Sequence, residues 1–200
     1  MNPREIGISV SGYTFNSFAA EWYMQKFGFN LSGGVFYRKQ LNAFRLQQHP
    51  SFFRVGYQYS GQPIITEGGE NNLAATVTGK QRGSEFYAGY EKQILEKNSF
   101  MILLGADVAL ARFSFKGQCY SYRGDIIYNE NKKMIGAGFI PFAHFSYTFN
   151  NLVRVSVESS FSNWFIRQNT LLQDPIHEVK KHYFVSSPNP VNAVTVSYLF

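Results

Sequence analysis

Seven ionisable residues fall in one alternating frame: Arg38, Arg54, Glu91, Asp107, His144, Arg154 and Glu158. Each lies on a segment that alternates apolar and small or polar residues, and each falls on the small side. Guanidiniums, carboxylates and one imidazole turned to a common side can do two things. They can pair into a closed polar network, or they can pass protons or ions. The network is the expectation, because a barrel of eight strands has room inside only for side chains. His144 has no second His or Cys at metal-ligand spacing, so no metal is expected. There is no phosphate loop, zinc pattern or calcium loop, and no cofactor is expected. Cys119 is the single cysteine and cannot form an internal disulfide. It reads as a small residue at a loop edge.

The elements that must position these residues are strands. The alternation predicts eight, over about 5–13, 27–38, 52–60, 84–95, 99–115, 133–148, 152–167 and 191–200. An even number suits a closed antiparallel barrel with both chain ends on one side. Two connections are short, Glu96-Lys97-Asn98 and Phe149-Asn150-Asn151. Each ends in Asn, which tolerates a left-handed backbone. Long connections are expected over 14–26, 61–83, 116–132 and 168–190, with 39–51 longer than a barrel turn should be. The 61–83 stretch, rich in Gly, Asn and Thr, reads as a mobile loop. The segment 17–27 could hold a helical turn or two. There is no internal repeat, and residues 1–200 read as a single barrel domain.

Composition narrows the class. The chain has 200 residues, 16% of them charged and 18% aromatic, with a net charge of +6. No stretch approaches the roughly 18 apolar residues of a spanning helix. A membrane protein of this kind must then cross with strands. A soluble barrel around a ligand would alternate too, so side-chain size decides which face is which. One face carries Gly7, Ser9, Ser11, Gly28, Ser32, Gly34, Gly56, Gly89, Gly105, Gly136, Gly138, Ser156 and Ser160, which suits a narrow lumen. The other is long and aromatic, which suits lipid, and an Arg there would cost about 2–4 kcal/mol. The charge suits an anionic lipid surface. The basic residues read as scattered, without a Lys/Arg stripe, so no nucleic-acid partner is expected. The cluster His177-Glu178-Val179-Lys180-Lys181-His182 reads as a basic loop near lipopolysaccharide. No signal peptide is visible after Met1, and the expectation is a mature form or a chain lacking its signal.

The last segment places Val194, Val196, Tyr198 and Phe200 on one face. This ending resembles the closing strand of bacterial outer-membrane β-barrels, and the resemblance implies that the barrel-assembly machinery reads Val196, Tyr198 and Phe200. Glu85-Phe-Tyr-Ala-Gly-Tyr-Glu91 and Leu104-Gly-Ala-Asp107 resemble small barrels of Bacteroidota outer membranes. Ser159-Ser-Phe-Ser-Asn163, with Ser187-Pro-Asn-Pro-Val-Asn192, resembles the lipid A 3-O-deacylase family over about the last forty residues. That resemblance implies Ser162 as nucleophile and Asn163 as oxyanion group. Ser160 stands where the family has its His, and a Ser cannot take the proton at neutral pH. Alternation also turns Ser160 and Ser162 into the lumen.

The expected fold is thus all-β, an eight-stranded antiparallel transmembrane β-barrel with short periplasmic turns and long extracellular loops. The expected function is a structural or accessory subunit of an envelope complex in the bacterial outer membrane, without catalysis. Lipid A acyl-ester hydrolysis and non-catalytic lipid binding are the alternatives. The implied partners are the bilayer, lipopolysaccharide, the assembly machinery and a larger outer-membrane protein complex.

Overall fold

Every segment with a period of two forms a strand over its described residues, residues 12–31 lying outside them, and the strands close on themselves. The computed structural model describes residues 4–11, 32–41, 50–67, 76–121, 123–173 and 176–200. The strands are β1 (Arg4–Ser11), β2 (Ser32–Gln40), β3 (Ser51–Glu67), β4 (Thr76–Lys97), β5 (Phe100–Tyr120), β6 (Ile126–Phe149), β7 (Val153–Gln173) and β8 (Ile176–Leu199). Each pairs antiparallel with the next, and β8 returns to β1. Arg4 and Phe200 exchange two backbone hydrogen bonds of 2.9 Å at the seam. Over the turn-side half every described strand has a neighbour on both sides, as hydrocarbon demands, while residues 61–67 of β3 and 176–192 of β8 pair on one side only among the described residues.

The strands run further than alternation alone suggested. Residues 61–67 and 76–83 are strand, as are 116–120, 126–132, 168–173 and 176–190. Three of the four connections read as long loops are therefore mostly wall. Cross-strand hydrogen bonds carry polar segments that have no apolar alternation to mark them. His177–His182 is likewise part of β8, not a loop. Cys119 lies inside β5 and is fully buried, packed with Val77 and Phe115. The proposed helical segment 17–27, residues 42–49 and residues 68–75 lie outside the described residues.

The turns at the other end are tight. β4 and β5 meet at Asn98-Ser99, with Lys97 opposite Phe100. This loop is one residue shorter than expected. The odd residue sits in β4 itself as a bulge between Gln93 and Leu95, so Ile94 and Leu95 both face outward. Asn98, Asn150 and Asn151 have φ of 56°, 48° and 56°, the left-handed backbone that Asn accepts.

The wall is inside-out relative to a soluble protein. Arg38 and Glu91 are almost fully buried, while Phe165 is 70% exposed. Along β5 the outward residues run Phe100, Ile102, Leu104, Ala106, Val108 and Leu110 before Arg112 breaks the series. Ten residues of tilted strand rise about 25 Å, the height of an outer-membrane apolar band.

The small face is small for a specific reason. Gly7 lies opposite Phe36, Gly56 opposite Tyr87, Gly83 opposite Phe113, Gly105 opposite Phe142, and Gly138 opposite Trp164. In every pair the aromatic is on the later strand and its ring lies over the glycine of the earlier one. A Cβ on Gly138 would come within 2.7 Å of Trp164 Cε3. Trp164 is fully buried and has little room to yield. Gly138→Ala should therefore cost about 1–3 kcal/mol by overpacking. It should lower the temperature at which the unboiled, folded gel band is lost, and Trp164→Leu in the same chain should restore much of it. A Gly138→Ala barrel melting like the parent would refute the pairing.

Candidate functional site

The lumenal residues come together as a network that the strand register assembles. Arg38 on β2 donates from Nε to Glu91 Oε1 at 3.0 Å and from Nη1 to Glu5 Oε2 at 2.9 Å. Its Nη2 lies 2.7 Å from His144 Nδ1. A guanidinium only donates, so Nδ1 must be the bare nitrogen and the imidazole carries its proton on Nε2. Arg54 on β3 makes a two-pronged contact with Asp107, with Nε donating at 2.9 Å, and reaches Glu158 Oε2 from Nη1 at 2.5 Å. Arg154 joins Glu5 at 2.7 Å and Thr148 Oγ1 at 3.1 Å. Asn192 Nδ2 donates to the second oxygen of Glu158 at 2.8 Å, and Ser197 Oγ donates to Glu5.

Glu91 Oε1 also lies 3.6 Å from Arg54 Nε, which joins all seven sequence-predicted lumenal residues in one set. Two further lumenal carboxylates were missed, Glu5, which is bonded into the set, and Glu85, which lies beside it. Both could have been found: Glu5 shares the frame of Gly7 and Ser9, and Glu85 that of Gly89 and Glu91. With Glu85 counted, three guanidiniums thus face five carboxylates. Glu85 is the carboxylate set furthest from the cations, and its Oε2 has no hydrogen-bond partner among the described residues.

The sequence suggested a polar lumen, but the structure adds apolar layers to it. One of them, Phe36, Tyr87, Phe113, Ile140, Trp164 and Ile166, closes the lumen on the side away from the tight turns. Phe52, Met101 and Leu103 pack on the turn side. Phe142 stacks under Arg54, whose Cζ is 3.5 Å from the ring centroid, so the cation is paired at its edge and covered on its face. The space left among Arg38, Arg54, Glu85, Asp107 and His144 is about 20 Å³, room for about one water. On the turn side a cavity of about 140 Å³ is lined by Glu5, Arg38, Gln93 and Arg154. Among the described residues no wide, continuous space joins the two.

Ser162 points into the lumen, as alternation requires. Its Oγ accepts from Asn189 Nδ2 at 2.6 Å and lies 3.5 Å from Ser187 O. No His or carboxylate bonds to it among the described residues. A bulge does exist beside it, but on the partner strand. Glu158 pairs with Ala193 and Ser160 with Asn189, so four residues of β8 run against two of β7. β7 keeps its parity.

Asn163 is on the outer face. Its Nδ2 donates to Phe139 O at 3.3 Å, where Pro141 interrupts the β6–β7 ladder, and its Oδ1 accepts from Ser186 Oγ at 2.8 Å. Both ends of this amide are thus engaged in mending the wall. Val196, Tyr198 and Phe200 all face outward from β8, next to the seam with β1.

No family model matches the sequence, and no curated protein matches it. Solved structures do. A major outer membrane protein from Thermus thermophilus superposes with a TM-score of 0.58 at 11% identity, over 99% of each chain. Ail, the attachment invasion locus protein of Yersinia pestis, gives a TM-score of 0.41 at 15% identity, over 100% of this chain and 97% of its own. The Thermus likeness shows the fold, a β-barrel of the outer-membrane kind.

Removing Arg54 alone would strand Asp107 and Glu158 in a dry lumen. Arg54→Met should cost about 3–5 kcal/mol in denaturant unfolding from micelles. The triple change Arg54→Met, Asp107→Asn, Glu158→Gln should recover a large part. Planar-bilayer recordings of the parent protein should show no stepwise ion current.

Proposed function

We propose that this chain is a non-catalytic barrel of the bacterial outer membrane, of the small Bacteroidota type, serving as a structural or accessory subunit of an envelope complex. One observation carries the reading. The lumen is filled by paired charges and aromatic rings, so the protein has only its wall and its outward ends to work with. The Thermus neighbour's fold, the apolar band of about 25 Å and the outward Val196, Tyr198 and Phe200 support the location. The same ending suits delivery by the barrel-assembly machinery.

Accessory service fits the wall's chemistry. Long aliphatic and aromatic side chains stand outward over the apolar band, and a second membrane protein can pack against them as lipid does. Lipid A hydrolysis is the weaker reading. A serine that accepts from an amide, with no base bonded to it among the described residues, is poorly placed to lose its proton and start acyl transfer.

Two measurements test this. Purification from native membranes in mild detergent should bring a stoichiometric larger outer-membrane protein along, identified by mass spectrometry. A barrel that comes out alone, with every envelope complex unchanged on deletion, would defeat the accessory role. Lipid A mass spectra from cells carrying the parent or Ser162→Ala should be identical, and a loss of deacylated species in the variant would make the protein an esterase.

A further inference from the structure

The basic residues, scattered along the sequence, are not scattered on the barrel. Arg82 on β4 pairs with Ser114, Ser114 with Lys133, Lys133 with Asn169, and Asn169 with Lys180 on β8. These five outward residues form one row around the wall. The next row towards the turns runs Ser84, Arg112, Ile135, Arg167 and His182. The next row away begins with Lys80 opposite Lys116. All of these Lys, Arg and His side chains are exposed. Among the described residues, none of Arg82, Arg112, Lys133 and Arg167 pairs with a carboxylate. Against them stand Glu178, 3.6 Å from Lys180, and Asp125 in the β5–β6 turn. Glu67 lies six residues beyond Gly61, the residue opposite Arg82.

The position of this belt matters as much as its charge. It begins where the apolar band ends, at the step from Leu110 to Arg112 and from Phe165 to Arg167. Directly beneath it, an apolar groove of about 550 Å³ is lined by Leu110, Ile135, Ala137, Phe165, Arg167 and His182. Above the groove, a shallow polar depression of about 870 Å³ is lined by Lys80, Arg82, Ser114, Lys116, Gln118 and Asn129, and by Glu130, which is buried and paired with Lys132 at 2.9 Å. Gln118 and Asn129 are joined by a 3.1 Å hydrogen bond and offer amide groups at its floor. An open apolar groove, a cationic rim and a polar hollow follow one another up the same wall. A neutral partner would leave these cations unmatched at the edge of hydrocarbon, and a phosphate would match them.

We infer that the outer wall of β4–β8 is a binding site for a phosphate-bearing glycolipid. Its acyl chain lies in the Leu110–Phe165 groove, its phosphate contacts Arg112, Arg167 and Lys133, and its sugar sits towards Lys80 and Gln118. The site rests on the membrane-spanning reading of the barrel and is independent of the accessory role.

The test uses the full chain in neutral detergent with bis-phosphorylated lipid A as probe, and native mass spectrometry to count bound lipid. The parent should retain lipid A, and the same lipid stripped of phosphate should bind at least about tenfold more weakly. Arg112→Gln/Lys133→Gln/Arg167→Gln should lose binding by a similar factor while keeping its heat-modifiable band. Lys39→Gln/Lys92→Gln/Lys97→Gln, at the turn end, should bind as the parent does. Equal binding of the phosphate-free lipid overturns the site without any variant. So does retention by the folded belt variant, an equal loss in the turn-end variant, or displacement of lipid A by an equal amount of phosphatidylglycerol. A parent chain with no heat-modifiable band in any lipid would overturn the membrane reading beneath it.

Discussion

In hydrocarbon a backbone N–H without a partner costs several kcal/mol, and this one constraint organises the whole molecule. It forces β8 back onto β1, so the turn-side half of the sheet is closed. Closing eight strands then gives a lumen too narrow for anything but side chains. The interior must be filled by the protein itself, and the exterior must satisfy lipid. The rest of the structure answers those two demands.

The filling follows a rule with a direction. Five inward aromatics each lie over a glycine directly opposite on the preceding strand. The glycines give the rings depth, and the rings cover backbone that glycine would leave bare. Charged groups fill the remaining section because they can pair: Arg38 and Arg54 each meet several acceptors, and Phe142 covers the face of Arg54. A buried cation with these partners holds several strands in one register, and buried pairs of this kind serve specificity more than stability.

The irregular part of the wall has the same logic. Pro141 on β6 and Pro188 and Pro190 on β8 flank the Ser159–Asn163 segment of β7, and each proline removes a ladder donor. Asn163 donates to Phe139 O and Ser186 donates to Asn163, so side chains take over where the backbone cannot. In the segment that resembles a catalytic sequence, the Asn163 amide bonds across a proline-interrupted sheet.

Alternation alone determined the class of this protein. Period two over eight segments, with small residues on one face and aromatics on the other, made the barrel, its inside and its seven-membered polar set legible in the chain itself. Strand side chains point strictly in or out, so parity is a local property that a sequence can state. It would have yielded Glu5 and Glu85 as well. The tertiary structure alone decided what depends on how strands are staggered. Which glycine meets which ring, where the β4 bulge absorbs a residue, and which aromatics cap the charges are properties of register. So is the basic belt: Arg82, Lys133 and Lys180 are far apart in the chain and become one row because hydrogen bonds across four strand pairs bring them into register. Distance around a closed sheet is set by pairing between strands, and no single strand carries that information.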